Sequence, residues 1–157
     1  MSDQEQSGGS LYFPFMAGFY AKFSDFGYPI IRFFTGLMMM PHGAQKLFGM
    51  FGGGGLDGTA GFFSKVGLEP AYPLAILVGC AEFFGGALLA IGLFTRFVSA
   101  AFTIQLLVIV FYLKMSKGFF SYNGGYEYEL LWALVAFGIF LHGAGKFSVD
   151  AKIGKEL

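Results

Sequence analysis

The chain has 157 residues, 55% of them hydrophobic and only 13% charged, against roughly a quarter charged in ordinary soluble domains; its mean hydropathy is +0.64. That much apolar side chain exceeds what one water-facing domain can bury, so a lipid bilayer is the expected solvent and a soluble enzyme is excluded. Ten Lys plus Arg balance ten Asp plus Glu, which leaves no net field to draw nucleic acid, and the single cysteine, Cys80, rules out an internal disulfide.

Residues 1–27 read as an N-terminal region without the basic and apolar parts of a cleaved signal. Its first ten residues are polar and flexible by composition. Its remainder, 11–26, is aromatic-rich but interrupted by Lys22 and Asp25, as suits a segment lying in the membrane interface. Residues 28–147 form the expected membrane domain. It holds four apolar stretches, at about 28–48, 74–94, 97–113 and 126–145, each near the ~20 residues that ~30 Å of hydrocarbon requires at 1.5 Å per residue. The first link begins with Gly52-Gly53-Gly54-Gly55, which lacks a following Lys-Ser/Thr and so is a flexible loop and no phosphate cradle. Residues 59–68 follow as a short amphipathic surface helix with Phe62, Phe63 and Val66 on one face. Thr95-Arg96 is a link so short that the second and third spans must be antiparallel neighbours. A second polar insert, 114–125, ends in turn residues, and 148–157 reads as a polar C-terminal tail. The expected fold is therefore all-α: a transmembrane four-helix bundle with short interfacial helices before the first span and in the first loop. Four spans place both termini on one side. Lys22, Arg96, Lys146, Lys152 and Lys155 on that side, against Lys46, Lys65, Lys114 and Lys117 opposite, tilt the termini toward the cytoplasm.

In such a solvent the informative residues are the polar ones inside spans, because each costs several kcal/mol unless paired or facing a wet cavity. They are Arg32, His42, Gln45 and Lys46 in the first span, Glu82 in the second, Gln105 in the third, and Glu127, Glu129 and His142 in the fourth. Glu82 stands in the apolar run 76–91 with no charge near it in sequence, so it must be protonated or meet a cation from another helix. Measured from the face of the two long inserts, His42 lies roughly 9 Å deep, Glu82 roughly 12 Å, and Lys46 near the boundary, so Lys46 or His42 can reach Glu82. Gln45 and Glu127 or Glu129 enter from the same face, which makes one polar pocket. Arg32 and His142 fall near the opposite face with Gln105 between, as a second, looser group. His42 and His142 are thus too far apart to share one haem. The alternative to a pocket is a buried ion-pair network that fixes helix register without chemistry. Gly85-Gly86 either lets helices approach closely or makes room for a flat ligand. No cluster has metal-ligand spacing.

These residues also resemble a known family. Arg32, the run Met40-Pro41-His42-Gly43-Ala44-Gln45-Lys46-Leu47-Phe48-Gly49, the Gly-rich insert through Phe63, Glu82-Phe83-Phe84-Gly85-Gly86, Gly92-Leu93-Phe94-Thr95-Arg96 and Asn123-Gly124-Gly125-Tyr126-Glu127-Tyr128 together resemble the DoxX family of small four-helix membrane proteins. The resemblance implies a multi-pass subunit of the bacterial inner membrane tied to redox chemistry, since relatives include the membrane part of a thiosulfate:quinone oxidoreductase. On this reading His42, Lys46 and Glu82 are the proton-handling, catalytic candidates. Arg32, Gln45, Gly85, Gly86, Gln105, Asn123 and Glu127 are the ligand-binding candidates, and no metal is expected. No flavin, Fe–S or haem motif stands in the chain, so it carries no intrinsic cofactor. Quinone is the candidate ligand, and electrons come from a soluble or membrane redox partner; copies of the chain could also pair as a homo-oligomer. Two other readings use the same residues: a small-solute transporter, and a membrane scaffold for soluble redox enzymes.

Overall fold

In a computed structural model, residues 11–156 are described, and they contain helices and no strand. The flexible N-terminal reading falls on residues 1–10, outside the described part.

Helix α1, Ala17–Phe48, runs for 32 residues, about 48 Å at 1.5 Å per residue. It follows a 3-10 turn at Pro14–Met16. The expected separate interfacial segment at 11–26 is therefore mostly continuous with the first span. Pro29 and Pro41 lie inside the helix; each removes one backbone donor, a loss that a long helix absorbs locally. Gly49 ends α1 with a left-handed φ of 67°, its N–H donating to the Ala44 carbonyl. Lys46 sits in the last turn, where the helix dipole favours a cation.

Helix α2, Gly55–Lys65, begins four residues before the expected amphipathic helix at 59–68. It buries Ala60 and Phe63 against Ala71 and Ala75, whereas Phe62 is exposed. The expectation that Phe62 and Phe63 share a face is corrected here, since consecutive helical residues diverge by 100°. Helix α3, Ala71–Cys80, a π-helical turn at Ala81–Gly85 and helix α4, Gly86–Ile91, make one continuous 21-residue rod. Gly92 and Phe94, both with positive φ, turn the chain at once into α5, Thr95–Val108. That helix continues through a second π-helical stretch, Ile109–Lys114, and a 3-10 turn to Lys117, a rod of 23 residues. By length and composition these two rods can cross a membrane. Helix α6, Glu127–His142, has 16 residues.

Residues 148–156 do not form a simple tail. Val149–Ile153 is helix α7, and Ser148 and Asp150 are buried. Both Asp150 carboxylate oxygens accept from the first amides of α5, Phe94 N and Thr95 N, at 3.0 Å, and its own N–H donates to the Gly92 carbonyl. The buried carboxylate thus caps α5 and fastens the C-terminal segment over the α4–α5 turn.

Helix α1 packs on α4 with backbones in near contact: a Cβ added to Gly86 would lie 2.6 Å from the Gly36 carbonyl oxygen, and one on Gly36 2.5 Å from Ala90 N. The α5–α6 pair fills the centre, where Leu89, Val98, Phe102, Leu106, Ala133, Ala136 and Ile139 are buried with Met39 of α1. Outward the rods present Leu77, Phe97, Ile104, Leu134 and Leu141, each at least 60% exposed. A surface of this kind is at rest against acyl chains rather than water.

Candidate functional site

Glu82 lies in the π-helical turn at Ala81–Gly85 and is 3% exposed. A π turn inserts one extra residue into the helical ladder and is frequent at functional positions. Helix α1 can approach this turn because Gly43 faces it without a side chain; an added Cβ would come within 2.7 Å of Phe83 Cβ. Lys46 Nζ, three residues further along the same helix, donates to Glu82 Oε2 at 2.6 Å. Gln105 Nε2 of α5 donates to the other carboxylate oxygen at 2.5 Å. Three helical segments therefore meet at one carboxylate, and its desolvation is offset by a cation and an amide. Lys46 remains 25% exposed, so the pair stands at the edge of an opening rather than in sealed packing.

That opening is a cavity of about 220 Å³ whose walls include His42 and Lys46 of α1, Glu82, Ile109, and Tyr128, Glu129 and Trp132 of α6. Its far wall repeats the Lys–Glu motif. Lys114, the last residue of the second π-helical stretch, donates to Glu129 Oε1 at 2.6 Å from the first turn of α6. Two polar atoms of side chains lining this cavity, Glu129 Oε2 and Trp132 Nε1, are buried and have no hydrogen-bond partner among the described residues. Leaving such groups unpaired costs about 1–3 kcal/mol each, which marks the spot where a ligand or water has most to gain.

The sequence candidates divide clearly. His42, Lys46 and Glu82 line the cavity together. Gln105 belongs to the Glu82 cluster and not, as expected, to the looser group with Arg32 and His142. Gln45 turns away and donates to the Phe51 carbonyl at 3.2 Å, tying down the loop after α1. Glu127 accepts from Ser121 N at 3.1 Å and closes the second insert; Glu129, two residues on, takes the cavity position. Asn123 is exposed in the 3-10 turn Ser121–Asn123. Gly85 faces Val98 and Phe102, and Gly86 meets α1, so both serve helix packing rather than the cavity wall. Arg32 is 2% exposed and donates to the Leu89, Ala90 and Phe147 carbonyls at 2.7, 3.1 and 2.6 Å. It caps the carbonyl end of α4 and holds the C-terminal segment, far from the cavity residues. Arg96 does the same for α6, donating to the Phe140 and Leu141 carbonyls while pairing with Glu156 at 2.8 Å. His142 instead packs on the Tyr28 ring, 3.8 Å between centroids. Tyr128, Trp132 and Lys114 were not among the candidates. The i to i+3 spacing of Glu129 and Trp132 was the available signal, since it sets both on one face of α6.

An all-helical chain that carries apolar rods of 21 and 23 residues and a largely apolar exterior is a membrane-associated protein. It belongs to the DoxX family, which it matches over residues 27–115. Among similar proteins, one from Bacillus subtilis named "Putative oxidoreductase CatD" is 29% identical over 134 residues, covering 85% of this chain and 92% of the relative. One from Haemophilus influenzae, named only as an uncharacterized protein, is 28% identical over 142 residues, covering 86% and 96%. No solved structure is significantly similar.

Proposed function

We propose that this protein is a quinone-interacting membrane subunit of a redox system, built as a transmembrane four-helix bundle in a bacterial inner membrane. Helix α1, the α3–α4 rod, the α5 rod and α6 are the four spans, with both termini cytoplasmic. The carrying observation is the cavity itself: the Lys46–Glu82 pair on one wall with His42 beside it, Glu129 paired to Lys114 on another, and a Trp132 N–H unpartnered among the described residues, within an otherwise aromatic and aliphatic lining. A quinone head group asks for that combination, flat apolar walls with a few donors for its carbonyls. On reduction it takes up two protons with its two electrons, which is work for amine and imidazole groups backed by carboxylates. In this arrangement Lys46 and His42 present donors, while Glu82 and Gln105 hold Lys46 in place. Electrons come from a partner protein. The oxidoreductase name of the Bacillus relative agrees with redox work of this kind.

The test is mass spectrometry of the lipid extract from the detergent-purified protein. An isoprenoid quinone should copurify near stoichiometry and be depleted in a Lys46→Met variant. Quinone no more abundant than in an unrelated membrane protein from the same cells would refute the reading.

A further inference from the structure

The two carboxylates at the cavity differ in a way that bears on which form of the ligand they accept. Both oxygens of Glu82 are engaged, Oε2 by Lys46 and Oε1 by Gln105. Glu129 Oε1 accepts from Lys114; among the described residues its Oε2 is buried and has no donor, and Trp132 Nε1, one turn along the same helix, is buried and has no acceptor. Two residues that line the cavity from α6 thus carry one buried acceptor and one buried donor that lack partners among the described residues. A buried acceptor stays costly until something with an O–H or N–H reaches it. An oxidised quinone has only acceptors. It can take the indole N–H but leaves Glu129 Oε2 unsatisfied. A quinol, with hydroxyls in place of carbonyls, can donate to Glu129 Oε2 and also accept from Trp132.

We infer that the site recognises the reduced, hydroxyl-bearing form of its ring ligand in preference to the oxidised form, with Glu129 as the acceptor that discriminates and Trp132 as a donor common to both. The inference rests on the proposed quinone site and states which member of the couple it holds. A hydrogen bond to a charged group is among the stronger ones, so the expected preference is tenfold or more, each factor of ten being ~1.4 kcal/mol.

Trp132 is the one tryptophan of the chain, so its fluorescence reports on this cavity without labelling. The full-length protein in nanodiscs is titrated anaerobically with a short-chain dimethoxybenzoquinone and, separately, with its quinol; the midpoints of saturable quenching give the two affinities. The expected result is a quinol midpoint at least tenfold lower than that of the quinone. Glu129→Gln should collapse this ratio toward one, while Glu127→Gln, whose side chain closes the insert instead, should leave it in place. If both forms bind and the quinone binds equally or more tightly, the inference is overturned while the quinone site survives. If neither form quenches saturably, the site and the inference fall together. The wild-type ratio decides the matter by itself should Glu129→Gln fail to fold.

Discussion

Removing Lys46 exposes how much of the molecule's stability rests on one buried carboxylate. At 2.6 Å from Lys46 Nζ to Glu82 Oε2, with an effective dielectric of about 20, the gross attraction is about 6 kcal/mol. Much of it only offsets desolvation, and breaking such a pair from one side typically costs 3–5 kcal/mol because the remaining charge stays buried. The two sides are unequal here, as Glu82 is 3% exposed and Lys46 25%. Lys46→Met leaves a carboxylate that is 3% exposed without its cation and should cost about 3–5 kcal/mol. Glu82→Gln leaves an ammonium that can turn toward the opening, keeps a side chain of the same shape for Gln105, and should cost about 1–2 kcal/mol. The double variant should be more stable than the sum of the two losses implies, with a coupling above about 1 kcal/mol. Equilibrium unfolding of the four proteins in mixed detergent micelles measures this cycle. Losses that add to within about 0.5 kcal/mol would show that the two groups do not sense each other and would refute the buried-pair account.

Two further outcomes test the packing and the loops. Gly36→Ala should destabilise by about 2–3 kcal/mol or prevent folding, because its Cβ would press on the α4 backbone; Gly58→Ala in α2, where an added Cβ meets open space, should be neutral or stabilise by up to about 1 kcal/mol, both read as thermal midpoints in detergent. Glu69, in the loop before α3, is held below the usual carboxylate range first by the Ser64 hydroxyl and then by the Ala71 N–H. Its depressed value means that its contribution is complete at neutral pH and is lost as pH falls through the folded-state value. The midpoint difference between the wild type and Glu69→Gln should therefore shrink on acidification; a difference that grows would contradict this sign.

The helical class and the meeting of Lys46 with Glu82 were legible because both follow from rise per residue: a lone carboxylate in an apolar run needs a cation, and depth along antiparallel helices says which one can arrive. What depth cannot give is rotation about each helix axis. Glu127 and Glu129 enter at the same level, yet they point roughly 200° apart, and the start of α6 decides which faces the cavity. Gln105 shows the same limit: it donates to Glu82, while depth alone put it with Arg32. Arg32 looked like a ligand contact since buried intramembrane charge usually is one; its guanidinium is instead consumed by carbonyls at the end of α4. The C-terminal clasp has a signature in the sequence: Ser148 caps α7 by accepting from Ala151 N, and a serine followed closely by an acidic residue is a common helix start.

The proposed seat of the ring ligand is the cavity between α1, the Glu82 turn and α6. Photolysis of an azidoquinone bound to the protein in native membranes, followed by peptide mapping, tests that placement. Labels confined to the peptides carrying Met38 to Lys46 and Tyr128 to Trp132, and displaced by unlabelled quinone, are the predicted result. Labelling scattered over outward residues such as Leu77, Phe97 and Ile104, and indifferent to competitor, would contradict it.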